Sequence, residues 1–238
     1  MKKLTTAVMM IAVMAINASC KKDLVGNGPV TTETRSIANF TGIDLRMNGN
    51  VYYKNDTVSK VEISAKESIH AVLETKVVNN SLVIRYNNGR TYDSDESIRI
   101  TVSGPNVNSF VLNTSGSIFC ASDIEAGILY LSTSGSGNIS LQKVSVNIIE
   151  ASSLQSGRIT ATGGATISEN LKTDGSGKID ISAVAAKNVK ARTIGSGDIR
   201  VKVSDHLEAT IDGSGSIYFD GYPVLTSHVT GSGKIIRF

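Results

Sequence analysis

Seven serines recur at near-constant spacing: Ser115, Ser136, Ser156, Ser176, Ser196, Ser214 and Ser232, separated by 21, 20, 20, 20, 18 and 18 residues. A repeated row of hydroxyls can read the hydroxyls of a sugar or a surface. It can also bond the backbone groups of the turns that carry it, and that is the expectation here. None of these serines sits in the G-x-S-x-G elbow of a serine hydrolase. Charged residues share the spacing. Lys178 and Asp198 follow successive serines at one offset, and Asp180 and Arg200 stand in the same relation two residues on. Pairing across neighbouring repeats would contribute roughly 0.2–1 kcal/mol each. A polysaccharide lyase would gather carboxylates around calcium beside a basic residue. The acids Asp174, Asp180, Asp198 and Asp212 instead scatter over three different offsets from their serines. His70, His206 and His228 lie far apart, with no metal-ligand spacing such as H-E-x-x-H. The run Asp205-His206-Leu207-Glu208 is the densest polar trio and reads as a solvated loop. The glycines beside the serines lack the repeated Asp of calcium-binding solenoids. Gly-Ser-Gly leads here into strands, not into the helix that a phosphate loop needs. No catalytic residue, metal ligand or cofactor is expected. Tyr52, Tyr53, Tyr86, Tyr92, Tyr130, Tyr218 and Tyr222 could stack on sugar rings, but nothing in the sequence clusters them.

The residues around the serines say what positions them. Each is followed by a glycine and, two residues further, by an isoleucine: Ile118, Ile139, Ile159, Ile179, Ile199, Ile217 and Ile235. A glycine also precedes five of the serines, at Gly135, Gly175, Gly195, Gly213 and Gly231. Two residues beyond the isoleucines sit Cys120, Leu141, Ala161, Ile181, Val201 and Phe219, with mostly polar residues between. That alternation predicts half-buried strands, with Cys120 a small core residue. Glycine supplies a corner where φ is positive or two backbones pass closely. One repeat cannot bury its own apolar face, so copies must stack. The spacing predicts an all-β chain of parallel solenoid coils of about 20 residues, roughly 4.8 Å apart, with isoleucine stacked on isoleucine. Asn48-Gly49-Asn50-Val51 mimics the motif; Gly49 lies 67 residues before Gly116, read as about three coils. Between them, 61–64, 82–86 and 98–102 read as strands, 67–74 as a helical turn and 87–96 as a polar loop.

Met1-Lys2-Lys3, an apolar run over 7–16 and the small residues Ala18 and Ser19 form a secretory signal. The apolar run is too short to span a bilayer, which takes about 20 residues. Cys20 follows directly, and Ile16-Asn17-Ala18-Ser19-Cys20 resembles a bacterial lipobox, so Cys20 is expected to carry the lipid. The predicted organisation is a signal peptide over 1–20, a flexible tether over 21–35 and a single solenoid domain over 36–238. Within that domain, 36–112 would be less regular and 113–238 regular. Cys20 and Cys120 are the two cysteines, so a lipidated Cys20 leaves no intramolecular disulfide. The chain of 238 residues has 24 Lys plus Arg against 21 Asp plus Glu; without Lys2 and Lys3 the count is 22 against 21. Such a balance argues against nucleic acid as a partner. Membrane contact would come through the lipid alone.

The Ser-Gly-x-Ile corners, with Phe40-Thr41-Gly42-Ile43-Asp44, Asn50-Val51-Tyr52-Tyr53 and Ser81-Leu82-Val83-Ile84, resemble the head-GIN family of autotransporter-adhesin-like domains. The resemblance covers the chain from about residue 37 onward. It implies a right-handed parallel β-helix-like solenoid, export, and a lipoprotein of the Gram-negative outer membrane, periplasmic or surface-exposed. The family offers no catalytic residues to carry over. The function expected is that of an envelope-anchored, non-catalytic, adhesin-like lipoprotein presenting a rigid face to a glycan, an envelope protein or a host surface. Two alternatives stand beside it: a carbohydrate-active enzyme using one solenoid face, and a structural or assembly protein of the cell envelope.

Overall fold

The alternation of apolar and polar residues folds as a stack of parallel strands. The computed structural model describes residues 24–87, 92–93 and 98–238; the leader, Cys20 and residues 21–23 lie outside them. Ile118, Ile139, Ile159, Ile179, Ile199 and Ile217 are all fully buried. They form one column in register, Ile118 on Ile139, Ile139 on Ile159, and so on to Ile217 on Ile235. Each strand bends as it circles the core. Lys178–Gly195 leaves a Ser-Gly corner and reaches the next without losing strand character. A second set of parallel pairs, Val144 on Gly164 and Gly164 on Val184, builds a middle side. A third, Leu129 on Ile149 and Glu169 on Val189, builds the side that leads into the following corner.

The corners are set by sterics. A Cβ on Gly116 would stand 2.5 Å from the Gly49 carbonyl oxygen on the neighbouring coil, so only hydrogen fits. In the later corners the residue before the serine takes a positive φ: +112° at Gly175, +96° at Gly195 and +142° at Gly213. Gln155 occupies the same place at φ 85°. The corner serines themselves are exposed, and the expectation that they bond the corner backbone is corrected. Ser115 donates to Asn48 Oδ1 at 2.9 Å, and Ser156 meets Ser176 at 3.1 Å. The corner carbonyls are instead met from inside the coil, by a fully buried ladder of Thr133, Ser153, Thr173 and Thr193. Ser153 donates to the Gly157 carbonyl at 2.8 Å and Thr193 to the Gly197 carbonyl at 2.6 Å. Within the ladder, Thr133 donates to Ser153 at 3.1 Å and Thr173 to Thr193 at 2.7 Å.

The N-terminal half stacks out of sequence order. Gly42–Leu45 and Asn50–Asn55 lie between a coil formed by Ser81–Tyr86 and Arg99–Gly104 and the coil formed by Ser109–Leu112 and the start of Ser117–Thr133. Gly49 and Gly116 are therefore on adjacent coils, with the Ser117 amide donating to the Gly49 carbonyl at 3.0 Å. The separation of three coils read from the sequence is wrong, because the intervening chain goes to the far side of residues 42–55. Three antiparallel pairings close that far side: Lys60–Lys66 on Arg99–Gly104, Val30–Ser36 on Lys60–Lys66, and Leu73–Val78 on Ser81–Tyr86. The strand Val30–Ser36 falls largely within the expected tether over 21–35; Glu33 and Arg35 are its half-buried residues, and it pairs along its whole length with Lys60–Lys66. The helical turn spans Glu67–His70 only. Tyr92–Asp93 pairs in parallel with Leu24–Val25, while 88–91 and 94–97, which take in most of the expected polar loop over 87–96, lie outside the described residues. Arg35 pins this end. Its guanidinium bonds Glu33 at 2.8 Å and the carbonyls of Leu73 and His70 at 2.6 and 2.9 Å.

Candidate functional site

The outward face of the strands that lead into the corners carries a groove of about 560 Å³ crossing four coils. Strand alternation points Leu131, Ala151 and Leu171 inward as its floor and leaves two outward rows as its walls. The first row runs Tyr130, Glu150, Asn170 and Lys190, and the second Ser132, Ser152, Lys172 and Arg192, each residue paired in register with the next. Tyr130 is 47% exposed and presents its ring at one end. Asn170 donates to Glu150 Oε1 at 2.6 Å, which leaves the second carboxylate oxygen and the amide oxygen as acceptors. Ser152 donates to Ser132 at 3.1 Å. At the other end the cations are held by acids outside the lining: Lys172 by Asp174 at 3.3 Å, Lys190 by Glu208 at 2.7 Å and Arg192 by Asp212 at 2.8 Å. Such a surface offers a ring to stack on, acceptors for hydroxyls and donors for anions, on strands paired in continuous register.

A second groove of about 550 Å³ lies on the middle side, floored by Ala165, Ala185, Ala186 and Gly221, with Lys187, Lys202 and Tyr222 among its lining. Lys202 is bridged to Asp220 at 3.0 Å, and the Arg237 guanidinium lies 4.5 Å over the Tyr222 ring.

Of the residues singled out in the sequence, Lys178 and Asp198 do meet, at 3.3 Å. Asp180 and Arg200 are neighbours in register but do not pair with each other. Asp180 accepts from the Ser182 hydroxyl at 2.7 Å, and Arg200 lies 4.5 Å over the Tyr218 ring. The Asp205–Glu208 run is not a loop. It lies inside the strand Asp198–Gly213, with Leu207 buried and His206 and Glu208 outward. His70 sits at the closed end, its Nδ1 3.2 Å from Glu33 Oε2. Cys120 is buried, and burial pushes its thiol up to about 11. Among the described residues no three His, Cys, Asp or Glu side chains gather as metal ligands, and no helix is long and apolar enough to cross a membrane.

Two features escaped the sequence reading. Tyr52 and Phe119 stack with centroids 5.1 Å apart, an aromatic pair hidden by the out-of-order coils. Glu169 is the other. It lies under the groove in a column of Leu129, Ile149, Val189 and Leu207, is 1% exposed, and has no hydrogen bond at either carboxylate oxygen. Burial raises its pKa well above the ordinary carboxyl value. Ile167, two residues earlier, is 49% exposed. The signal was present: Glu169 stands twenty residues from both Ile149 and Val189.

Three solved structures share this fold. A putative adhesin from Bacteroides fragilis NCTC 9343 superposes with a TM-score of 0.83 at 22% identity, over 90% of this chain and 100% of its own. A "putative lipid binding protein" from Parabacteroides distasonis ATCC 8503 gives 0.75 at 22% identity, over 91% and 100%. A putative adhesin from Parabacteroides merdae ATCC 43184 gives 0.71 at 21% identity, over 91% and 99%. No curated protein matches the chain. The family model "Putative auto-transporter adhesin, head GIN domain" matches residues 39–223. With the coil corners and the stacked isoleucine column, that match places the chain in the head-GIN family of adhesin-like domains.

Proposed function

We propose that this head-GIN domain is a non-catalytic, adhesin-like binding module, exported as a lipoprotein through Cys20 to the outer membrane and presenting its groove to a glycan. The observation that carries the reading is the groove itself: Tyr130, the Glu150–Asn170 pair and three cations lie on successive coils in one register. Extended glycans advance from sugar to sugar by about the distance between coils, roughly 4.8 Å, so one chain can meet one coil per residue. A non-catalytic role is favoured because glycoside hydrolysis takes two carboxyl groups. Glu150 is the single acid in the lining, and it is tied to Asn170. The test is saturable binding of the mature chain to a glycan and matrix-protein array. Tyr130→Ala and Glu150→Gln should weaken glycan binding by about tenfold or more, one to two hydrogen bonds or a stacking contact each. Binding confined to proteins and indifferent to both substitutions would refute the glycan reading. Labelled-palmitate incorporation, lost in Cys20→Ala, tests the anchor.

The second groove favours one other ligand class. Its floor of alanine and glycine beside Lys187 and Lys202 suits an acyl chain with an anionic head, in keeping with the lipid binding proposed for the Parabacteroides distasonis neighbour. Displacement of a fluorescent fatty acid, lost on Ala185→Glu, would support it; no fluorescence change with wild-type protein would remove it.

A further inference from the structure

The cation end of the first groove says more about the glycan, provided the glycan reading above holds. Lys172 stands directly opposite Arg192 on the next coil, and Lys190 lies two residues from Arg192 on the same face. Neighbouring strands are about 4.8 Å apart and alternate residues about 6.6 Å, so the three side chains rise from one small patch of the sheet, within reach of a single small anion. Like charges directly opposite across strands destabilise a sheet unless an anion is shared between them. Each head is about half exposed and meets one acid, on coil positions outside the groove lining. An ammonium has three donors and a guanidinium five, so most of their donors remain free to turn toward the groove. The acids orient the heads without filling them. The lining itself holds three cations and one carboxylate, and that carboxylate, Glu150, lies at the opposite end beside Tyr130. The two ends are therefore chemically distinct: acceptors with an aromatic ring at one, donors at the other.

We infer that the groove selects an acidic glycan, lying along the solenoid axis with sugar hydroxyls at Tyr130, Glu150 and Asn170 and a uronate carboxylate among Lys172, Lys190 and Arg192. Guanidinium and ammonium groups grip a carboxylate through short charge-assisted bonds, about twice as strong as neutral ones. A neutral glycan of the same length would meet only the first half of the site.

Calorimetry with a galacturonate tetrasaccharide and its carboxyl-reduced counterpart tests this on the mature protein. The acid form should bind about tenfold or more tightly than the reduced form, a difference of one charge-assisted contact. Lys172→Gln with Arg192→Gln should abolish that preference, so that the two forms bind alike. Tyr130→Ala should weaken both forms alike, and an unchanged melting temperature confirms that each variant is folded. Added salt should narrow the preference. Equal affinity of the wild type for both forms would overturn the acidic selection and leave the glycan reading intact. Binding of neither form would overturn both. A polyglutamate peptide bound as tightly as the galacturonate would overturn the glycan assignment in favour of an acidic polypeptide.

Discussion

Tyr52 is sandwiched between Arg99 and Phe119. The guanidinium lies 3.8 Å from its ring centroid on one side, and the Phe119 ring 5.1 Å away and 17° from parallel on the other. The three residues come from three neighbouring coils, so the stack reads 99, 52, 119 in space. Nearby, Ser115 bonds Asn48 across 67 positions of sequence. This column of rings fixes a coil order that the chain itself does not follow.

The Tyr52–Phe119 contact should be measurable as a coupling. In a double-mutant cycle of Tyr52→Ala and Phe119→Ala, the interaction term should be about 0.5–1.5 kcal/mol beyond the two single losses. Urea denaturation of the four proteins gives the value. Additive losses would mean the rings merely share a neighbourhood.

Gln155 holds a φ of 85° at a corner place where Gly175, Gly195 and Gly213 relieve the same backbone of strain. A residue with a Cβ in that region costs about 1–2 kcal/mol. Gln155→Gly should therefore raise stability by about 1 kcal/mol, after the extra entropy glycine gives the unfolded chain. The converse change, Gly195→Gln, should lower it, since a Cβ there would also approach the Gly175 carbonyl oxygen at 2.7 Å. Equal melting temperatures for wild type and Gln155→Gly would contradict the strain argument.

Glu169 links stability to pH. Its folded pKa is raised, so the native chain holds that proton more tightly than the unfolded chain does. Its protonated form is most favourable to folding below the unfolded carboxyl pKa of about 4.3. That contribution is lost as pH rises from there toward the folded value. Glu169→Val continues the Ile149 and Val189 column. It should stabilise by about 1–3 kcal/mol even at low pH, by removing an unbonded buried polar group. Its advantage over wild type should widen as pH rises. Melting curves of both proteins from acid to neutral pH test this, and a constant gap would show that Glu169 does not titrate in the fold.

Cys120 should be chemically silent while the chain is folded. With its thiol at about 11, about one molecule in a thousand carries thiolate at pH 8. In a Cys20→Ala chain, thiol reagents should react slowly in buffer and rapidly in denaturant. Fast labelling of the native protein would place Cys120 at an open surface.

The Ser-Gly-x-Ile spacing exposes the coils because seven isoleucines must share one column, and period-two alternation around them leaves a single inward face. Corner chemistry was only half legible. Exposed serines mark the corners, while the hydroxyls that bond the corner carbonyls, at Ser153 and Thr193, lie three residues earlier on the preceding strand, where their own spacing is masked by the inward alternation of the strand. The order of coils could not be read from periodicity, since Gly49 and Gly116 carry the same corner whether adjacent or far apart. Antiparallel strands such as Val30–Ser36 pair through backbone groups that every residue owns, and a polar, threonine-rich sequence gives them little apolar signature. The groove combines residues spaced by twenty on the strands before the corners. That row is varied in residue type and carries no repeated motif, and the inward column that holds Glu169 runs beside it.

The insertion of residues 42–55 between later segments also sets when this protein can take shape during synthesis. As the chain emerges N-terminus first, that coil has no parallel neighbour on either side until 81–104 and 109–120 have followed. Until then its edges stay open to wrong partners, and closing such distant pairs is slow. Each later coil closes on a strand made about twenty residues before it, as Ser152 does on Ser132. The vulnerable moment of biogenesis therefore falls at the beginning. Substitutions along 42–55 would cost yield of folded protein well before they cost the melting temperature of what is finally made.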